Sequence, residues 1–267
     1  MINYLAKFGL KYNPFIKNTN DTKVDLEEYK QLTYRLEKLK ESKGLGIIVG
    51  GAGVGKTSTI RYWTKTLNES LFKVIYIQLS TLTVIEFYKE LAEKFGLVVE
   101  SSKRKNFKNI QDEVKRLVFE KNITPVIILD EANYILPQTL NDFKMLLNFE
   151  MDSKDRIILL LVGQTNLKST LSLQAHEALR QRISMNYTIN NLKVEESRFY
   201  IDSKLNSAGL LVKLISDEAY NLIINTANGV IRKINQIMNA ALSLLCNKQA
   251  EIIDEQIAMD AISEVQL

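Results

Sequence analysis

Nine consecutive residues after an apolar run have the types and spacing needed to hold a phosphate chain. Eight of them fit the pattern G-x-x-x-x-G-K-[ST]. The glycines let backbone N–H groups turn inward towards phosphate oxygens, and the helix expected next would point its positive dipole end at the same anion. The lysine would reach the β- and γ-phosphates, and the threonine hydroxyl would take one position on Mg²⁺. The residues of this predicted nucleotide site are Gly50, Gly51, Ala52, Gly53, Val54, Gly55, Lys56, Thr57 and the adjoining Ser58.

A second apolar run ends in two carboxylates. Residues 126–129 are Val-Ile-Ile-Leu, and Asp130 and Glu131 follow directly. Because Mg²⁺ prefers hard oxygen ligands, Asp130 is predicted to hold the ion with Thr57, directly or through a water. Glu131 is predicted to orient and deprotonate an attacking water. Acids at a strand end are weak evidence alone, but behind a phosphate loop they predict hydrolysis of a nucleoside triphosphate.

Hydrolysis develops negative charge on the transferred phosphoryl group, so positioned polar donors are expected elsewhere in the chain. Arg180 and Arg182 lie at the end of a short helical segment, and we predict an arginine finger that reaches a neighbouring subunit's nucleotide, with Arg182 preferred. Gln164 follows a third apolar run and is predicted to hold the attacking water. Arg232 begins a C-terminal helix and is predicted to contact the γ-phosphate. A solvated or turn-forming side chain is the alternative interpretation for each.

The basic charge of the chain is confined to its first part. Residues 194–267 hold six Lys and Arg against ten Asp and Glu, a net charge of −4, which leaves +8 for residues 1–193. This asymmetry permits an anionic macromolecular partner. The polar segment 101–106 is predicted to be a loop before a helix at 110–120. The cations between residue 101 and that helix either contact DNA phosphates or are simply solvated. The cations concerned are Lys103, Arg104, Lys105 and Lys108.

Apolar runs alternate with amphipathic stretches along the first two thirds of the chain, as expected for parallel strands joined by crossover helices. A helical pattern over 26–40 comes first. The predicted strands cover 47–49, 74–77, 126–129, 157–162 and 185–189.

Strand signals stop near residue 194, and helical periodicity follows to the end of the chain. The predicted fold class is therefore α/β, with a five-stranded parallel sheet sandwiched by helices and then a small all-helical domain. The expected domains are an N-terminal segment 1–25, a core 26–193 and a helical lid 194–267. The four expected lid helices cover 195–208, 216–227, 230–247 and 254–265.

Composition excludes several classes of protein. The longest apolar runs are too short to cross a bilayer, so we expect a cytoplasmic protein with no membrane partner. The lone Cys246 cannot form an internal disulfide, and the lone His176 cannot build a multi-histidine metal site. Cys246 is interpreted as a small buried residue and His176 as a helix-surface residue.

In this order the motifs resemble those of AAA+ ATPases, and four stretches narrow the resemblance to the ExeA-type family, close to the TniB, TnsC and MuB transposition ATPases. The similarity covers nearly the whole chain, with one departure: Ile231 stands where the family's lid motif usually has a proline before the arginine. The matching stretches are 8–15, 161–164, 179–183 and 229–235.

The resemblance implies ATP and Mg²⁺ as cofactors, and places Asn13, Pro14 and Phe15 near the adenine, unless Phe8 and Phe15 are merely apolar anchors. A finger supplied by a neighbouring subunit completes the site only between copies of the chain, so we expect a homo-oligomer, either a ring or a helical filament. Two functions follow from the resemblance. The first is a transposition regulator that binds duplex DNA in its ATP-bound form through backbone contacts, selects a target and recruits a transposase. The alternative is an ExeA-like secretion or envelope ATPase with no DNA partner, and a slow nucleotide switch is a further possibility.

Overall fold

The computed structural model describes residues 5–17, 24–148 and 154–265. The parts of the predicted N-terminal segment at 1–4 and 18–23, of the predicted core at 149–153 and of the predicted lid at 266–267 lie outside the described residues. The chain divides into two compact units, and the domain limits expected at 25/26 and 193/194 stay a prediction. The first unit takes 1–30, 52–55 and 190–267, and the second takes 31–51 and 56–189.

The second unit is built on a five-stranded sheet in which every pairing is parallel, with the order β2-β3-β4-β1-β5. The predicted α/β fold with a five-stranded parallel sheet is thereby confirmed, since each predicted strand is present. The strands are β1 (Gly44–Gly50), β2 (Phe72–Gln78), β3 (Thr124–Asp130), β4 (Ile158–Gly163) and β5 (Ile183–Ile189).

Helices connect these strands, as parallel pairing requires. A π-helical turn, Arg116–Glu120, continues α4 towards β3, and short 3-10 turns precede α5 and α7. The helices up to the last strand are α1 (Glu27–Ser42), α2 (Lys56–Thr64), α3 (Val84–Phe95), α4 (Lys103–Lys115), α5 (Pro137–Leu146), α6 (Asn166–Ser172) and α7 (Glu177–Arg180).

The three inner strands are buried along their whole length, because helices cover both faces of the sheet. The edge strand β2 is different, since Val74 and Tyr76 are 39% and 40% exposed. The register brings the carboxyl ends of the strands to one edge of the sheet: Val49 pairs with Gly163, and Gln78 pairs with Asp130. The chain leaves β1 towards β2 on one side and leaves β4 towards β5 on the other, and ligands of open α/β sheets bind at the carboxyl edge where such connections diverge.

The first unit is helical and has a hydrophobic core of its own. Each predicted lid helix is present with bounds within one residue of those expected. Phe8, Leu10 and Phe15 of the N-terminal segment are buried in this core together with side chains of the C-terminal helices. The helices are α8 (Val194–Ser207), α9 (Asp217–Ala227), α10 (Ile231–Lys248) and α11 (Glu255–Val265).

The predicted loop at 101–106 is wrong over most of its length, because α4 begins at Lys103 rather than at Ile110. Asn106 explains the early start: its amide donates to the Glu100 carbonyl and accepts from the Glu100 N–H, both at 2.8 Å. Asn106 is fully buried, so this side chain replaces solvent for the backbone just before the helix. A run that is polar in sequence thus forms the first turns of a helix.

Two single residues also differ from expectation. His176 is 1% exposed rather than on a helix surface, and its Nδ1 lies 3.3 Å from Asn141 Oδ1. Burial, helped by the charge of Lys144, lowers the pKa of His176, so the ring is neutral at pH 7. Cys246 lies on α10 and is half-buried rather than buried.

Within the described residues, the helices are either too short or too polar to cross a bilayer.

Candidate functional site

The lysine of the phosphate loop is buried at the start of α2. Lys56 is 7% exposed, and its Nζ donates to the backbone carbonyl oxygens of Gly50 and Gly51, each at 2.9 Å. An ammonium group in such a place needs acceptors, and the loop supplies two of them. Lys56 is therefore held beside the carboxyl end of β1.

Asp130 and Thr57, the two predicted metal ligands, contact each other. The Thr57 hydroxyl donates to Asp130 Oδ2 over 2.7 Å, and Asp130 is 4% exposed. Two more donors hold the carboxylate: the Tyr76 hydroxyl lies 2.9 Å from Oδ2, and the Glu131 N–H lies 2.9 Å from Oδ1. Burial, reinforced by the charge of Asp130, raises the pKa of Tyr76 well above its usual range. The phenol therefore stays protonated and donates a hydrogen bond to the carboxylate.

Glu131 has an unusual backbone and an unusual carboxylate. Its φ of 55° and ψ of 38° lie in the left-handed region, which non-glycine residues rarely adopt. Its Oε2 is buried and lacks a hydrogen-bond partner among the described residues. A buried carboxylate oxygen without a donor is costly, and residues held in a strained conformation concentrate at functional sites.

Gln164 lies just beyond β4 with its side chain exposed. Its backbone N–H donates to Asn133 Oδ1 over 3.1 Å. The neighbouring Gly163 leaves room for this contact, since a Cβ there would lie 3.0 Å from the same oxygen. The turn after Glu131 is thus tied to the tip of β4, which brings the backbone of Gln164 to the same edge of the sheet.

The two candidate finger arginines have different surroundings. The guanidinium of Arg180 donates through Nη1 to the backbone oxygens of Leu171 and Ser172, at 3.2 and 2.8 Å, and so caps the end of α6. Arg182 is half-buried in the turn between α7 and β5. The hydrogen bonds of Arg180 are accounted for by helix capping, and the choice between the two arginines stays a prediction.

In the first unit, Arg232 is the second residue of α10 and lies against Gly53. Its N–H donates to the Gly53 carbonyl over 3.1 Å, and a Cβ on Gly53 would lie 2.6 Å from Arg232 Cβ. Ile231 forms the first residue of α10 and is buried, so the helix starts here without the family's proline. The guanidinium itself is on an exposed residue.

Gly55 packs against a tyrosine of the same unit. Its φ is +101°, and a Cβ built there would lie 2.1 Å from the hydroxyl oxygen of Tyr29, which is 6% exposed. Both the backbone angle and the space therefore require glycine.

We expect Gly55→Ala to lower the free energy of unfolding by more than about 2 kcal/mol, the sum of left-handed strain and displacement of Tyr29. Thermal unfolding without nucleotide measures it. The matched control is Gly96→Ala, because Gly96 has φ +79° but its Cβ position has no atom of the described residues within 4 Å. Strain alone should therefore cost about 1 kcal/mol there. Tyr29→Ala should cost less in the Gly55→Ala background than alone, and equal costs would contradict the clash.

The residues that the resemblance places near adenine are buried in the first unit. The Asn13 side chain accepts from the Phe15 N–H over 3.0 Å and donates to Asn239 Oδ1 over 2.8 Å. Pro14 and Phe15 are also buried, and Phe15 belongs to the hydrophobic core. The segment is therefore anchored to α10, and its proximity to adenine stays a prediction.

The four candidate DNA-contact residues lie on α4. Lys103 pairs with Asp142 over 2.7 Å, and Lys105 with Glu100 over 3.5 Å. Arg104 and Lys108 are exposed and lie one helical turn apart.

Sequence reasoning missed Tyr76 and Asn133. Both contact the candidate site through hydrogen bonds between segments that are distant in sequence, and neither belongs to a motif. One sequence signal could have indicated Tyr76: it lies two residues before Gln78, the end of β2, and therefore on the same face of the strand. Gln78 itself is exposed at the end of β2.

The residues present fit a magnesium ion bound with phosphates. The described residues contain no cluster of three or more His, Cys, Asp or Glu that could bind a metal ion without further ligands. They offer one hydroxyl and one buried carboxylate in contact, hard oxygen ligands of the kind that Mg²⁺ uses when waters and phosphate oxygens complete its shell. The chemical roles of these residues stay predictions.

Comparison with known proteins places these features in a family context. Residues 39–171 match the AAA domain family. General secretion pathway protein A of Aeromonas hydrophila is 26% identical over 244 residues, which cover 90% of this chain and 44% of that protein. The chain therefore spans less than half the length of this curated relative.

Two solved structures share the fold. The Aeropyrum pernix ORC2 protein, in ADPNP-ADP complexes, is 17% identical with a TM-score of 0.70, over 94% of this chain and 71% of that one. The Aeropyrum pernix ORC1 protein in complex with DNA is 17% identical with a TM-score of 0.71, over 94% of this chain and 68% of that one. At this identity the likeness shows the fold alone.

Proposed function

We propose that the chain, which matches the AAA domain family over residues 39–171 and is similar to an ExeA-type protein, binds and hydrolyses ATP with Mg²⁺. The observation that carries this proposal is the contact between Thr57 and Asp130 beside a buried Glu131 oxygen that lacks a partner. The similar structure solved with ADPNP and ADP supports a nucleotide ligand.

Each residue has a defined part in the proposed reaction. Lys56 and the N–H groups of the loop would bind the phosphates. Thr57 and Asp130 would hold the magnesium ion, which would offset the negative charge that develops on the transferred phosphoryl group. Glu131 accepts a proton from the attacking water. Its buried Oε2 is available for this, because it has no hydrogen-bond partner among the described residues. Gln164, whose backbone N–H is bonded to Asn133 at the tip of β4, holds that water in this proposal.

Hydrolysis in this proposal regulates an assembly on duplex DNA, in the manner of a transposition regulator that recruits a transposase. Three findings support a DNA partner: the net charge of +8 on residues 1–193, the exposed Arg104 and Lys108 one turn apart on α4, and the structural likeness to a protein solved with DNA. None of the contacts proposed reads a base, so backbone binding with steep salt dependence is expected.

The second candidate is a secretion-associated ATPase without a DNA partner. It is favoured by the identity of 26% with General secretion pathway protein A. Turnover with and without duplex DNA, together with imaging of assemblies in a non-hydrolysable ATP analogue, separates the two. Absence of both DNA stimulation and DNA-bound assemblies would reject the first candidate and leave the second.

We expect replacement of Arg104 and Lys108 by alanine to flatten the dependence of log Kd on log salt by about two, because each removed phosphate contact contributes about 0.9 to the slope. Fluorescence anisotropy with labelled duplex DNA, in the presence of the ATP analogue, measures the slope. Alanine at Lys94 and Lys121, also exposed in the second unit, removes the same charge and should leave the slope unchanged. Equal slopes for all three proteins would contradict α4 as the DNA surface.

A further inference from the structure

Tyr76 is an edge-strand residue whose hydroxyl contacts a buried carboxylate. It lies in β2 opposite Ile128 of β3, and its side chain is 40% exposed. The hydroxyl is directed to Asp130 Oδ2 over 2.9 Å. A tyrosine here therefore presents its ring partly to solvent and its polar end to the metal-binding carboxylate of the proposed function.

Donors from three parts of the second unit fix the orientation of Asp130. Thr57 on α2 and Tyr76 on β2 both donate to Oδ2, and the Glu131 N–H in the following turn donates to Oδ1. Two of these donors belong to residues with another role in the proposed site: Thr57 is a metal ligand, and Glu131 is the general base. Tyr76 alone of the three stands outside the phosphate loop and the acidic motif.

We propose that Tyr76 is a positioning residue of the magnesium site, which holds the Asp130 carboxylate in the orientation that binds the metal. This inference rests on the proposed function, because it assumes that Asp130 is a metal ligand. Partners that hydrogen-bond to ligating carboxylates orient them, and their loss typically costs 10–100-fold in metal affinity or activity. Packing alone does not require tyrosine, since phenylalanine suits an edge strand equally well.

The test is Tyr76→Phe, which removes one oxygen and keeps the ring. The measured quantity is the Kd for Mn²⁺, used in place of Mg²⁺, with saturating ADP, by electron paramagnetic resonance. We expect Mn²⁺ to bind roughly 10-fold more weakly, with the Kd for ADP in EDTA unchanged. Tyr34→Phe is the matched control, because Tyr34 lies on α1 of the same unit and is 61% exposed; it should bind Mn²⁺ like the unmodified protein.

A second variant separates the hydroxyl from the ring. Tyr76→Leu also lacks the hydroxyl, so Mn²⁺ affinity should fall by the same factor as in Tyr76→Phe. A fall in Mn²⁺ affinity in Tyr76→Leu without one in Tyr76→Phe would assign the effect to packing of the ring and overturn the proposal. Mn²⁺ affinity within twofold of the unmodified protein in Tyr76→Phe would also overturn it. If the unmodified protein binds no Mn²⁺ with ADP, the proposed metal site itself fails, whereas normal binding by the unmodified protein with no effect of Tyr76→Phe refutes only the role of Tyr76.

Discussion

Glu131→Gln is expected to lower ATP turnover by a factor of about 10² to 10⁴, the usual contribution of a general base, while the Kd for MgATP stays unchanged. Glutamine has the same shape but cannot accept the proton of the attacking water. Because Oε2 of Glu131 has no hydrogen-bond partner among the described residues, no internal bond is lost by the change. Single-turnover phosphate release and binding of a fluorescent ATP analogue measure the two quantities.

The same substitution at an exposed glutamate provides the control. Glu69 lies in the turn before β2, and Glu69→Gln should turn over ATP at the normal rate. Turnover in Glu131→Gln within a few-fold of the unmodified protein would remove Glu131 from the catalytic role. Under the proposed function, Glu131→Gln should also prolong the ATP-bound assembly on DNA, because that proposal makes release depend on hydrolysis.

Arg182→Ala is expected to lower turnover by roughly 10³- to 10⁵-fold if this arginine acts as a finger on a neighbouring subunit's nucleotide. Nucleotide binding should remain, because the residue would contact only the neighbour's phosphates. Arg180→Ala is the matched control, since it removes the same group two residues away; it should lower stability by uncapping α6 and affect turnover much less. The reverse pattern would move the assignment to Arg180.

Mixing two inactive variants tests whether the finger acts between subunits. Where a subunit with Arg182→Ala binds ATP beside a subunit with Glu131→Gln, one complete site forms. Random mixing at equal concentrations should therefore restore activity at about a quarter of the sites. An inactive mixture, with each variant shown to assemble, would exclude a shared site.

The fold was predictable because its signals are local and repeated. Runs such as 126–129 and 157–162 are apolar on both faces of a strand, which only a sheet covered by helices can bury. The lid helices were predictable from their periodicity. The phosphate loop and the acidic pair carry their chemistry in a contiguous pattern, so their residues could be named from the sequence.

The missed features depend on contacts between segments that are distant in sequence. The burial of His176 depends on packing beside α5, and the start of α4 depends on the bonds from Asn106 to Glu100. Similarly, Tyr76 contacts Asp130 only because strand register places the ends of β2 and β3 side by side. Local propensity contains no information about such pairings, and a polar run that starts a helix looks the same as a polar loop.

The left-handed backbone of Glu131 sets stability and activity against each other at one position. Glycine would relieve strain of about 1–3 kcal/mol there, but it has no carboxylate. Under selection for thermal stability alone, variants with glycine or asparagine at this position should accumulate, whereas selection for turnover should retain glutamate. In a mutant library, the ratio of glutamate to glycine and asparagine at this position would therefore measure how strongly selection favours ATP hydrolysis over a more stable protein that only binds the nucleotide.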